Sequence, residues 1–185
     1  MIICGIDEAG RGCIAGSLFV CGVILKCDIL GLKDSKKLSQ KQRFSMLDTI
    51  KQNSKLHLVK KDSKEIDKYG LSKCIKESLL EIMDKIYADK YIFDGNYNFA
   101  INTLETLIKG DNKLQPISAA SIIAKCAKDS EMIEVSKKYP QYHFHKNKGY
   151  GTKEHVKSIE KYGLCEIHRT SYRIKSLEKS IFNLE

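Results

Sequence analysis

Four acidic residues stand where a chain could use them for chemistry. Asp7 and Glu8 follow a first apolar run at residues 2–6, Asp94 ends a second at 91–93, and Asp129 lies just past an apolar-faced stretch that begins near Ser118. A carboxylate placed directly after a buried strand is costly unless it is solvated, hydrogen-bonded or bound to a cation. Two strands that each end in Asp can bring both groups to one rim of a sheet. Adjacent strand residues point to opposite faces, so Asp7 and Glu8 are expected to share a site only if the strand distorts, and glycines at 10 and 12 make such a turn feasible. Four carboxylates with no organised His or Cys around them suit hard cations, Mg²⁺ or Mn²⁺. Two such ions about 3.5–4 Å apart activate a water and stabilise the leaving oxygen of a phosphodiester. Taken singly, each acid also has a plainer reading: Asp94 starts an Asp-Gly turn, and Asp129 lies on a wet helix face.

Basic residues outnumber acidic ones, 32 to 23, for a formal charge of +9. Such a balance favours polyanionic partners, nucleic acid before a membrane surface. Lys125 falls one helical turn before Asp129, which places a cation beside the proposed metal site. Residues 137–153 interleave lysines with Tyr139, Tyr142, Phe144 and Tyr150, a pattern that suits a phosphate backbone with stacked sugars or bases and equally a polar loop. Gly10 and Gly12 remove side chains where a backbone could reach a ribose hydroxyl; alone, they would equally make a tight turn between strands.

The acids and lysines must be positioned by elements the pattern predicts. Strands are expected at 2–6 and 18–25, joined by a glycine-rich link short enough for an antiparallel pair, with further strands at 56–59 and 91–93. Helices are expected from Ser39 to about 53, from 71 to 86, from a Ser118 cap to about 137, and from a Thr152 cap over 153–162 with Gly163 as the stop. Nothing marks a domain boundary, so one α/β domain is expected over 1–185. The seven cysteines are irregularly spaced with no C-x-x-C pair, which excludes a disulfide framework or zinc knuckle as the organising feature. The N-terminus lacks a leader pattern and the longest apolar run is far too short to span a bilayer. A cytoplasmic location with no membrane association is expected.

Six blocks taken together are similar to one family. Residues 5–12 (GIDEAGRG), 32–38 (LKDSKKL), 91–95 (YIFDG), 117–129 (ISAASIIAKCAKD), 148–155 (KGYGTKEH) and 168–172 (HRTSY) closely resemble, in order, the signature blocks of bacterial ribonuclease HII. The resemblance implies a ribonuclease H-like fold, a central mixed sheet flanked by helices, with a helical, substrate-contacting C-terminal part from about residue 140. It implies that Asp7, Glu8, Asp94 and Asp129 hold two Mg²⁺ or Mn²⁺ ions and carry catalysis. It implies that Gly10, Arg11, Gly12 and Tyr150 recognise an RNA-to-DNA junction, with Lys36, Lys37 and Lys125 as phosphate contacts. Expected substrates are RNA–DNA hybrids and duplex DNA containing ribonucleotides, cut 5′ of the ribonucleotide to leave 3′-hydroxyl and 5′-phosphate ends. A monomer is expected, without the N-terminal substrate-binding domain of ribonuclease HIII. Cys13 and Ser17 stand where many relatives carry proline, and the Pro-Val that usually follows the His-Arg block is absent.

Two other classes share some of these features. A dinucleotide-binding enzyme would use Gly10-x-Gly12-x-x-x-Gly16 as a phosphate loop, but 18–25 reads as a strand rather than the required helix. A non-catalytic nucleic-acid-binding module explains the charge but not four acids at element ends.

Overall fold

The computed structural model describes residues 1–32 and 38–174. Lys36 and Lys37 therefore lie outside the described residues. Five strands form one mixed sheet in the order β3-β2-β1-β4-β5. β1 (Ile3–Ala9) and β2 (Leu18–Leu25) pair antiparallel, with Asp7 opposite Cys21. β3 (Ser54–Lys61) pairs antiparallel with β2, while β4 (Lys90–Asp94) runs parallel to β1 and β5 (Leu104–Leu107) parallel to β4. The central strands are covered on both faces, which is why β1 and β2 read as continuous apolar runs rather than alternating ones.

One face carries Cys4, Ile6, Leu18, Val20 and Phe93 against Cys74, Ile75, Leu79 and Ile82 of α3 (Leu71–Lys85) and Ile66 of α2 (Ser63–Tyr69). The other carries Ala9, Phe19, Cys21 and Val23 against Ile122, Ile123 and Cys126 of α4 (Gln115–Lys138), with Ile50 of α1 (Gln40–Gln52). A third cluster packs Met132 of α4 against Tyr142, Phe144 of α5 (Phe144–Asn147) and Ile159 of α6 (Lys153–Tyr162). α4 thus belongs to two cores, and it lies very close to β1: a Cβ on Gly5 would collide with the Pro116–Ile117 backbone.

The expected strands and most helices are found. Ser39 and Thr152 cap α1 and α6 as expected, Ser39 in a capping box with Gln42. Three expectations need correction. α4 begins at Gln115 rather than after Ser118, because Pro116 fits the first turn of a helix; Ser118 is fully buried inside it and its hydroxyl donates to the Leu32 carbonyl. β1 does not distort at Asp7–Glu8: its ladder with β2 runs in register to Ala9, and the chain turns only at Gly10, where φ is +96°. Tyr142 and Phe144 are core residues, so the basic–aromatic alternation of 137–153 is not one exposed strip. β2 is a strand throughout, which removes the helix that a dinucleotide loop requires.

Candidate active site

β1 and β4 run parallel, so their C-terminal ends meet at one rim of the sheet. This brings Asp7, Glu8 and Asp94 within electrostatic reach of one another. Asp7 lies on the α4 face and is buried. Its Oδ1 accepts from the Glu8 amide at 2.8 Å, and the Ser121 hydroxyl of α4 lies close enough to favour its ionised form. Burial, reinforced by the Asp94 charge, pushes the Asp7 carboxyl up to about 6, against the pull of Ser121, the Glu8 amide and Lys125. Glu8 emerges on the opposite side of the strand. Burial and then the charges of Asp7 and Asp94 push it up to about 7, although Arg11 Nη1 lies 3.6 Å from its Oε1. Glu8 Oε2 is buried with no hydrogen-bond partner. Asp94 accepts from the amides of Gly110 and Asp111 at 3.1 and 3.4 Å.

Asp129 stands one step further along α4. Ser121, Lys125 and Asp129 recur at four-residue spacing and share one helix stripe. Lys125 Nζ donates to Ser121 Oγ at 2.7 Å, which leaves the Ser121 hydrogen for Asp7. Asp129 itself accepts from Arg43 Nη2 of α1 at 3.1 Å, with Lys128 Nζ at 3.5 Å. It lines a pocket with Gln40, Arg43, Lys125, Lys128, Lys148 and Tyr150. Among the described residues, no three His, Cys, Asp or Glu side chains are gathered in a metal-holding arrangement. Like charges at this rim repel, and Asp7, Asp94 and Asp129 each draw on protein donors. The donor chemistry nevertheless fits hard divalent cations: it is all carboxylate, Asp7 and Glu8 are held above their ordinary pKa by burial and by neighbouring carboxylates, and Glu8 offers an unpartnered buried oxygen.

The other candidates flank this rim. Residues 10–16 form a loop that a second segment grips: the Ile14 and Ala15 amides donate to Gly149 O at 2.9 and 3.2 Å. Gly149 adopts φ +83°, and a Cβ there would strike the Ala15 carbonyl, so close docking of the two segments requires glycine. Nothing lies within 4 Å of a Cβ built on Gly12, so internal packing does not demand glycine there. Tyr150 is 46% exposed, with Lys128 Nζ 4.5 Å from its ring centroid. Arg43, Ser121 and Lys128 are site residues that sequence reading did not single out. Ser121 was legible from its spacing to Lys125; Arg43 comes from a distant helix and carried no local signal.

A mixed five-stranded sheet with acids at two strand ends and on the covering helix defines a ribonuclease H-like protein. The structure superposes on that of ribonuclease H2 from Pyrococcus horikoshii OT3 with a TM-score of 0.82 at 24% identity, covering all of both chains. The chain belongs to the ribonuclease HII family: the family model Ribonuclease HII matches residues 4–175. It is 51% identical to a ribonuclease HII of Campylobacter hominis, covering 96% of this chain and 97% of that one. It is 47% identical to that of Sulfurovum sp., covering 96% and 94%.

Proposed function

We propose that this chain is a divalent-metal-dependent endonuclease that cuts the RNA strand of RNA–DNA hybrids, including 5′ of single ribonucleotides embedded in duplex DNA. The observation that carries this reading is the rim where Asp7 and Glu8 stand beside Asp94, burial and neighbouring carboxylates raise the proton affinity of Asp7 and Glu8, and Glu8 Oε2 lies buried without a donor. Such a cluster is held against its own repulsion and is relieved by a cation.

In this reading Asp7, Glu8, Asp94 and Asp129 hold two Mg²⁺ or Mn²⁺ ions, with Arg43 and Lys128 releasing Asp129. Bound there, such ions would supply an activated water and charge stabilisation at the leaving oxygen, and the proposed products carry 3′-hydroxyl and 5′-phosphate ends. Lys125, Lys128 and Lys148 face the phosphate backbone from the pocket beside Asp129; Lys36 and Lys37, outside the described residues, are further phosphate contacts on the family resemblance alone. Backbone groups at Gly10–Gly12 approach the ribose, whose 2′-hydroxyl separates RNA from DNA. The exposed face of Tyr150 packs on the neighbouring sugar. The enzyme works as a single-domain monomer in the cytoplasm.

A uniform RNA–DNA hybrid, incubated with Mg²⁺ or Mn²⁺, tests the reaction. Cleavage is expected with wild type, and none with excess EDTA or with Asp94→Asn. Full cleavage in EDTA refutes the mechanism.

A further inference from the structure

The turn at residues 165–172 touches both halves of the proposed recognition surface. His168 forms an antiparallel bridge with Ala15, and the Arg169 amide donates to Ile14 O at 2.8 Å. The Arg169 side chain is buried under the 10–16 loop. Its Nε donates to Gly16 O at 3.0 Å, and its Nη1 to Arg11 O at 3.3 Å and to Tyr172 Oη at 3.0 Å. Tyr172 Oη in turn donates to Arg11 O at 3.0 Å. Nη2 is buried without a hydrogen-bond partner, so Nε and Nη1 carry the fastening: a buried guanidinium gains from every donor it occupies, and the Gly16 and Arg11 carbonyls hold the arginine while the arginine holds the loop.

The same turn reaches Tyr150 through two histidines. His155 Nδ1 lies 2.8 Å from the Tyr150 carbonyl, an atom that only accepts, so Nδ1 carries the proton. In the neutral ring Nε2 is then an acceptor. Its partner at 3.0 Å is His168 Nε2, which must donate. His168 Nδ1 is left to accept, and it faces the Cys165 amide at 2.9 Å and thiol at 3.1 Å. The Cys165 carbonyl also lies 3.3 Å away, but the shorter amide contact fixes Nδ1 as an acceptor. One proton order, with both rings neutral, satisfies the chain. Burial lowers the proton affinity of both rings, His168 to about 4, where the neighbouring His155 contributes as well.

The turn is itself fastened to α2. Asp67 Oδ2 accepts from the Thr170 amide and hydroxyl, both at 2.8 Å, and Oδ1 from the Ser171 amide and hydroxyl at 3.0 and 2.6 Å. Partial burial pushes the Asp67 carboxyl up, but the Ser171 and Thr170 bonds outweigh it and hold the group below its ordinary range.

We propose that Asp67, His168 and Arg169 are positioning residues: the turn they fasten fixes Gly10–Arg11–Gly12 and Tyr150 relative to each other, so that backbone and ring read one junction together. This rests on the reading of those groups as substrate contacts. The turn touches none of the four acids, so its loss acts on binding rather than turnover.

Asp67→Asn keeps one accepting oxygen and Asp67→Ala keeps none. On a single-ribonucleotide duplex, Asp67→Ala is expected to raise KM roughly tenfold, with kcat held within about twofold and Asp67→Asn falling between. Hydrogen exchange should accelerate at amides 13–16. Nitrogen-15 NMR of the wild-type imidazoles should show His155 protonated at Nδ1 and His168 at Nε2; the reverse pair of tautomers overturns the relay. A fall in kcat at unchanged KM, or unchanged exchange at 13–16, overturns the proposal. So does an unchanged KM in both Asp67 variants while Tyr150→Ala raises it. If Tyr150→Ala also leaves KM unchanged, the substrate-contact reading fails instead, and exchange at 13–16 alone decides whether the turn holds the loop.

Discussion

Replacing Asp7 by Asn should abolish cleavage and yet make the metal-free protein more stable. A carboxyl whose folded value is about 6 against an ordinary 3.8 costs the fold about 3 kcal/mol once ionised, at about 1.36 kcal/mol per pH unit. The sign follows from linkage: the folded value is raised, so stability falls as pH rises from about 4 to about 6 and is flat above. Asn removes that cost but weakens the bonds from Ser121 and the Glu8 amide, a loss of about 1 kcal/mol. The net gain at pH 8 in EDTA is about 2 kcal/mol, a rise in melting temperature of roughly 4–8 °C for a chain of this size. At pH 5 only about half of the gross cost has accumulated, and the gain shrinks below about 1 kcal/mol. Glu8 shares in the relief because Asp7 is among the charges that raise it, so the two titrate as a pair. Thermal melts of both proteins at the two pH values, with chelator throughout, measure this. An Asn variant that is less stable than wild type at pH 8, or equally stabilised at both pH values, refutes the account of a strained carboxylate cluster.

Tyr150→Ala should weaken cleavage at a single ribonucleotide by about tenfold or more, the scale of a lost stacking contact of roughly 1–3 kcal/mol. Tyr150→Phe should retain most activity if the ring is what matters; a stable Ala variant with unchanged cleavage removes Tyr150 from recognition. Hybrid affinity should fall linearly in a plot of log K against log salt, since lysine–phosphate contacts release counterions; a flat plot contradicts the basic pocket as a phosphate track.

Much of the site was legible before the structure because its parts lie at element ends. Apolar runs that stop at Asp7 and Asp94 announce a shared rim when the strands run parallel, and the four-residue spacing of Lys125 and Asp129 announces one helix face. The contacts that complete the site come from far along the chain. Arg43 reaches Asp129 from α1, and no local pattern encodes such a meeting. β5 is only four residues long, with Glu105 and Thr106 exposed, so it shows no usable period. α2 is capped by a box of Asp62 and Glu65, but that signature is read from sequence ahead of an apolar run, and the seven residues of α2 carry only Ile66 and Tyr69 as apolar positions. The distortion expected at Asp7–Glu8 assumed that two acids on opposite faces cannot cooperate. On the β4 side the ladder ends at Ile6 opposite Phe93, so both acids lie beyond it at the rim, and Asp94 acts on each.

The central claim is that these acids and this loop cut at a ribonucleotide. The direct measurement is a DNA duplex with one embedded ribonucleotide, labelled at each end in turn, treated with purified protein and Mg²⁺ or Mn²⁺ with and without chelator. The account predicts one cut, on the 5′ side of the ribonucleotide, with a 3′-hydroxyl on one product, a 5′-phosphate on the other, and no reaction in chelator. Cleavage elsewhere, cleavage without divalent metal, or a duplex bound but left intact in the presence of both ions would contradict it.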